Sequence, residues 1–388
     1  MNKRIIPLML TYSVILLLFA VYSYSQIDLN LTLSANEFYQ SIQNSLIRLG
    51  YFNRPVSTVI YLSLVFSLSV IYLYFLKYGE SFKKLKKLFI ILIAVNILIG
   101  LISYPAYSHD LFNYMFDARI VTKYGLNPYQ YRALDFPGDL WIRFMHWTHR
   151  TYPYGPLWII LTLPFSFLGF AKFIPTLFLF KLMFVFFYIG SILLIKKIRE
   201  LNKENFWNAV VFYAFNPLIL IETLISPHNE SAMLFFMLMS FYYFYQKKNF
   251  ILSIISVTAS FAVKYTTVVL IPLYFIINIR EDDKFLRYCL LMLLIPLIVL
   301  IFNREPYPWY FIPFIGISSL MESRLIKKLV LALSLGFVLR YAPFVYFGLT
   351  EPLKSKFIMN ILLILPSGLY FLFILIKSKG IYRPSAKI

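Results

Sequence analysis

Two carboxylates seven positions apart are the first residues in this chain whose type and spacing suit chemistry. In "SHDLFNYMFDARIVTKYGLNPY", residues 108 to 129, Asp110 and Asp117 follow a long apolar run. The spacing predicts a helix over about residues 109 to 124, capped by Ser108 and stopped by Gly125. At about 100° per residue, Asp110, Asn113, Tyr114 and Asp117 share one side and Leu111, Phe112, Met115 and Phe116 the other. That is the pattern of an amphipathic helix lying in the membrane interface. The helix dipole favours a carboxylate in the first turn, which explains Asp110 without a function. Asp117 lies beyond the dipole's reach, so it belongs either to a solvated polar face or to an acid-base pair. Arg119 falls on the apolar side and is expected to snorkel to lipid headgroups.

Three more stretches carry polar residues where apolar ones dominate. In "NPLILIETLISPHNE", residues 216 to 230, Glu222 sits inside an apolar run. An unpaired charge there costs at least about 2.5 to 3.5 kcal/mol, which makes it a functional candidate, either protonated or paired with Lys264. Pro227, His228, Asn229 and Glu230 form a polar turn. In "AVKYTTVVLIPLY", residues 262 to 274, Lys264 stands alone between apolar runs. In "FNREPYPWYFIPF", residues 302 to 314, Arg304 precedes Trp309 and Tyr310. An aromatic belt with snorkelling cations accounts for the last two stretches. The alternative is a pair of cations for a lipid-linked phosphate, which Arg can hold in a bidentate manner.

The elements that must position these residues follow from composition. The chain has 388 residues, of which 60% are hydrophobic, 20% aromatic and 14% charged. Apolar runs centred near residues 15, 66, 96, 184, 215, 238, 256, 271, 294, 315, 336 and 366 give an all-α polytopic membrane protein. About twelve transmembrane helices (11 to 13) are expected, in a single domain over residues 1 to 388. The start has the basic and apolar parts of a signal peptide but is long enough to span, and is read as the first helix. The net charge of +20 does not indicate a nucleic-acid partner, because Lys and Arg cluster between apolar runs. The positive-inside rule explains them. Cys289 alone supports neither an intramolecular disulfide nor a thiolate metal cluster.

Orientation turns on "PLWIILTLPFSFLGF", residues 156 to 170, too short to span and weakened by Pro164. If it dips into the outer leaflet without crossing, 16 Lys and Arg of the later clusters fall inside and 5 outside. A spanning segment would reverse that bias. The expected topology has both termini cytoplasmic and residues 105 to 172 as one outer loop.

The four polar stretches, in this order, resemble the GT-C glycosyltransferase superfamily, most closely its polyprenyl-phosphate-mannose-dependent mannosyltransferases. The matching residues are Asp110, Tyr114, Asp117, Arg119 and "GLNPY" (125 to 129, with Asn127 and Tyr129), then "YPYGPLW" (152 to 158, with Tyr154). "NPLILIE" with "HNE", "VKYTTVVLIPLY" and "YPWYFIPF" complete a resemblance over residues 88 to 320. Glu230 stands where family members often carry Asp, and Tyr154, Gly155 and Pro156 where they carry a double proline. The resemblance implies transfer of a sugar, with mannose favoured, from a polyprenyl- or dolichyl-phosphate donor to a glycan or lipid-linked acceptor on the outer face. Asp110 would be the base of an inverting reaction. Tyr114, Asp117, Asn127, Tyr129, Tyr154, Glu222, His228, Asn229, Glu230 and Trp309 would contact substrate, and Lys264 and Arg304 the donor phosphate. Two carboxylates alone also suit a double displacement. No metal or other cofactor is expected, since two cations neutralise one phosphate; Asp110, Asp117 and Glu230 would hold a divalent ion only if they converge. A transporter or flippase of a lipid-linked sugar, or a glycan ligase or polymerase, is the alternative.

Overall fold

Backbone in lipid must satisfy its own donors and acceptors, so apolar runs fold as helices. The computed structural model describes residues 2–202, 204–245, 249–276, 282–303, 305–348 and 352–378, and among them there is no strand. Arg304 lies outside the described residues, as do Lys203, Lys247, Lys248, Arg280 and the chain beyond residue 378.

Seventeen α-helices run in order among the described residues: α1 (Asn2–Ser23), α2 (Glu37–Ile47), α3 (Arg54–Lys77), α4 (Lys86–Ile102), α5 (Asp110–Thr122), α6 (Pro156–Leu168), α7 (Phe173–Leu201), α8 (Trp207–Ala214), α9 (Pro217–Leu220), α10 (Glu230–Tyr245), α11 (Phe250–Val263), α12 (Leu273–Ile276), α13 (Asp282–Asn303), α14 (Ile312–Leu320), α15 (Arg324–Leu339), α16 (Tyr341–Phe347) and α17 (Pro352–Ser378). Six helical stretches are long and apolar enough to cross a membrane, or seven if the pair α8 and Pro217–Ile225, bent by 54°, is one span. The all-helical membrane class is as expected, and of about twelve expected spans six or seven are supported among the described residues. The runs near 15, 66, 184, 294, 336 and 366 give the six. The others are interrupted: α10 has 16 residues and α11 has 14, about 24 and 21 Å at 1.5 Å per residue. Both fall short of a hydrocarbon core of about 30 Å. Pro217, Pro272 and Pro308 each sit where an apolar run continues but the α-helix does not. Apolar length therefore overstates helix length wherever proline intervenes.

Phe215, beside the Pro217 break, packs on Phe75 and Phe82, whereas the break at Pro308 lies at the other end of the bundle, next to Tyr307 and Arg340. There Arg54 Nη1 donates to Val345 O at 3.1 Å and Arg340 Nη2 to Glu305 Oε2 at 2.8 Å. At the opposite end Arg199 Nη1 donates to Leu320 O at 2.9 Å and Asn205 Nδ2 to Glu80 Oε1 at 3.2 Å. Residues 103 to 155 fold over the Arg340 end as turns, 3-10 segments and α5. Lys181 binds the last carbonyls of α4: its Nζ donates to Gly100 O at 2.8 Å and also to Ser103 O. A cation is favoured at a helix C-terminus, so this buried lysine has a structural task.

Candidate active site

Helix α5 stops as its sequence predicts, but its N-cap is His109, without a side-chain cap hydrogen bond, rather than Ser108. Ser108 Oγ accepts the Asp110 N–H at 3.2 Å. At the other end Gly125 takes φ +65°, and Leu126 N–H returns to Ile120 O at 3.1 Å. A residue with a Cβ resists that left-handed turn. The two faces of the helix are not divided between lipid and water, however. Every residue from Asp110 to Ile120 is buried, so both faces are covered by protein. On the apolar side Phe112 packs on Phe144 at 5.3 Å and Phe173 at 5.9 Å. On the polar side Tyr114 meets Trp158 at 5.1 Å and Tyr154 at 5.2 Å. The reading failed because a residue pattern does not distinguish water from a polar protein interior.

Arg119 is likewise not at the lipid surface. It is buried, donates to Asp139 Oδ2 at 2.7 Å and stacks on Trp141 at 3.9 Å. Burial by itself raises the Asp139 carboxyl; hydrogen bonds from Tyr124, Arg119 and the Trp141 backbone reverse this and lower it to about 2. The carboxylate therefore stays ionised, and the pair fastens α5 to the loop that covers it.

Close approach of two backbones brings the next elements in. Gly155 N–H donates to Val263 O at 3.2 Å, and a Cβ at Gly155 would stand 2.1 Å from Ala262 O. Only glycine admits this contact. It sets Tyr154 beside Lys264, the residue at which α11 ends. Lys264 Nζ pairs with the Glu230 carboxylate, lies 3.4 Å from Asn229 Oδ1 and stands over the Tyr310 ring. Asn229 joins this group to α5, since its Oδ1 accepts Tyr114 OH at 3.4 Å. Glu222 does not pair with Lys264. Its Oε1 accepts Tyr341 OH at 2.8 Å, and its Oε2 lies 3.0 Å from His228 Nδ1 without a straight hydrogen bond. The His228 ring stacks on Trp309 at 3.9 Å, and Trp309 on Tyr307 at 4.5 Å.

Asp110 and Asp117 complete the cluster. Asp110 Oδ1 faces Asn113 Nδ2 at 3.5 Å. Burial raises its carboxyl above the ordinary aspartate range, opposed by the positive charges of Arg150 and Lys264. Burial pushes Asp117 up to about 8, opposed by Arg150 and reinforced by Asp110. Burial also holds His228 well below the ordinary histidine value, with the Lys264 charge adding to it, so the ring is neutral.

Asn127 and Tyr129 stand apart from this cluster. Asn127 is exposed, and its Oδ1 accepts the Tyr129 N–H at 3.0 Å in a turn around Pro128. Tyr129 is 41% exposed and reaches the cluster only through the Tyr154 carbonyl, at 3.0 Å. The arrangement also includes residues that the sequence did not single out. Arg150 acts on both acids and its Nη2 lies 3.5 Å from Tyr154 OH. Its proximity to "YPYGPLW" was the available signal, hidden by the 40 positions between it and Asp110. Tyr341 lay in an apolar run with nothing to mark it. Asp110, Asp117 and Glu230 do not form a compact ligand set. Among the described residues, one trio brings its ligand atoms within 4.8 Å of one another: Asp28, His109 and His146.

The acids are closed in. Asp110, Asp117, Glu222 and Glu230 are each at most 9% exposed. They line neither of two described cavities, one of about 190 Å³ beside Tyr24 and Gln43 and one of about 720 Å³ beside Glu204 and Asp283.

The family model described as alpha-(1->6)-mannopyranosyltransferase, N-terminal domain (MptA_B family) matches residues 28–280. The chain belongs to this family. It is a membrane glycosyltransferase of a mannosyltransferase family, and the match includes α5, the Gly155 contact, Glu222, the "HNE" turn and Lys264. It also takes in residues 28 to 87, where the resemblance found nothing, and leaves Trp309 outside. No curated protein and no solved structure matches the chain.

Proposed function

We propose that this enzyme moves mannose from a polyprenyl- or dolichyl-phosphate donor to a hydroxyl of a glycan or lipid-linked acceptor, in a GT-C type reaction. One observation carries the reading. In a chain of a mannosyltransferase family, acids and cations from α5, the turn at 226 to 230 and the end of α11 meet in one buried cluster.

The acceptor oxygen attacks the anomeric carbon as the bond from that carbon to the phosphate oxygen breaks. The configuration inverts, the lipid phosphate leaves, and the acceptor proton passes to Asp110. Asp110 suits this task better than Asp117, because the first turn of a helix and two cations favour its ionised form. Asp117 stays protonated near neutral pH and donates a hydrogen bond to a sugar oxygen. Glu222, His228 and Asn229 orient the sugar, with Trp309 behind the His228 ring; Tyr114 and Tyr154 line its other side. Lys264 and Arg150 hold the leaving phosphate, and Arg304 adds to them. Glu230 keeps Lys264 in place until the donor arrives. Entry of substrate requires these closed side chains to part.

The excess of Lys and Arg in the clusters between later helices favours an active site on the outer face with both termini cytoplasmic. A transporter would place free charges near the bilayer midplane. The two ionisable residues that the sequence places deepest in apolar runs have partners within the protein, Lys181 at the end of α4 and Glu222 at Tyr341. Purified enzyme incubated with a panel of lipid-phosphate sugars should release lipid phosphate fastest with mannose. Release from none of them, by folded protein given a glycan acceptor, would overturn the reading.

A further inference from the structure

Beside the acidic cluster, three chemically matched ligands converge from three remote segments. Asp28 follows the 3-10 turn Tyr24–Gln26 at the end of α1, His109 precedes α5, and His146 follows the 3-10 segment Leu140–Phe144. His109 Nε2 lies 3.4 Å from Asp28 Oδ2, and His146 Nε2 lies 3.7 Å from the same oxygen. All three ligand atoms lie within 4.8 Å of one another. Two ligands about 2.1 Å from a tetrahedral zinc ion stand about 3.4 Å apart by trigonometry. The 3.4 Å separation equals such a ligand edge, and both separations are long for a hydrogen bond. His109 is 7% exposed, and its Nε2 is buried with no hydrogen-bond partner. A buried polar atom left in that state needs an explanation.

We propose that Asp28, His109 and His146 bind a divalent transition metal of the zinc class, with a fourth position open to water. Two imidazoles and a carboxylate suit such an ion and are poor ligands for magnesium or calcium. The two imidazole rings stack at 3.5 Å with 26° between their planes, so both nitrogens face a common ion only after one ring swings. His146, with its side chain 53% exposed, has the freedom to do so. Metal at this point ties the end of α1 and the loop after Phe144 to the start of α5. The site adjoins Asp110 through His109, but metal binding there is tested without reference to the reaction assigned to the acidic cluster.

The test uses the full chain in detergent, freed of any histidine tag and stripped with chelator. Zinc and cobalt are titrated, following bound metal, the visible absorption of cobalt and thermal unfolding. One equivalent of zinc should bind and raise the unfolding temperature, and cobalt should give the intense bands of a tetrahedral site. His146→Ala, at an exposed position, should fold normally yet lose affinity at least about 100-fold, exceeding the usual effect of an outer partner. Asp28→Asn should behave alike, and His149→Ala, three residues on, should bind as the parent does. Parent-like metal binding by His146→Ala, or no saturable zinc binding by the parent chain, overturns the proposal.

Discussion

Lys264→Met has consequences that can be worked out in advance. The ammonium group pairs with Glu230, whose side chain is 2% exposed, and its other contacts are Asn229 Oδ1 at 3.4 Å and the Tyr310 ring at 5.3 Å. Removing it leaves a buried carboxylate without its partner, at a cost of about 3 to 5 kcal/mol. Glu230→Gln in the same chain removes the stranded charge and should return most of that loss. Thermal or denaturant unfolding in detergent of the parent, both single variants and the double variant gives the coupling energy, expected at 2 kcal/mol or more on the scale of about 0.5 to 3 kcal/mol for residues in contact. Kinetics then separate structure from function. A charged hydrogen bond to phosphate contributes about 1.5 to 3 kcal/mol, so the double variant should lose about 10- to 150-fold in donor kcat/KM. Acceptor KM should change little. A double variant no more stable than Lys264→Met, or equal losses for donor and acceptor, refutes the assignment.

Gly155→Ala should disrupt the site from a distance, because the new Cβ meets Ala262 O at 2.1 Å; loss of transfer with helicity retained is expected, and a fully active variant refutes the packing argument. Asp117 titrates at about 8, so transfer should fall as pH rises through that value and a second negative charge forms beside Asp110. Asp117→Asn, fixed in the neutral form, should keep most activity at pH 7 and lose the alkaline fall; an unchanged profile would assign that limb elsewhere. Since the folded state holds this proton more tightly than the unfolded chain does, stability should also decline as pH rises from about 4 to about 8. Asp139→Asn strands the buried Arg119 and should cost about 3 to 5 kcal/mol in unfolding experiments; a loss below about 1 kcal/mol would show the pair to be solvated.

Much of the site was legible because its chemistry conflicts with its surroundings. Glu222, Lys264 and the turn from His228 to Glu230 were visible as polar residues in apolar runs, and the end of α5 as a glycine. The errors share one physical cause, that partners distant in sequence leave no local mark. Arg119 was read as a lipid-facing cation because Asp139, 20 positions on, could not be seen as its partner. For Glu222 the sequence offered protonation or pairing with Lys264, and Tyr341, 119 positions away, could not be seen as the donor to its carboxylate. Of about twelve expected spans, six or seven are long and apolar enough among the described residues. Short helices at membrane depth are tolerated where their free ends are buried in protein, and hydropathy does not record burial.

The most direct test is single-turnover transfer from polyprenyl-phosphate-mannose by Asp110→Asn, with folding checked by an unfolding temperature within a few degrees of the parent. General-base catalysis contributes about 10²- to 10⁴-fold, so the account predicts a loss of that order with donor binding retained. Full transfer by a folded Asp110→Asn enzyme would contradict it.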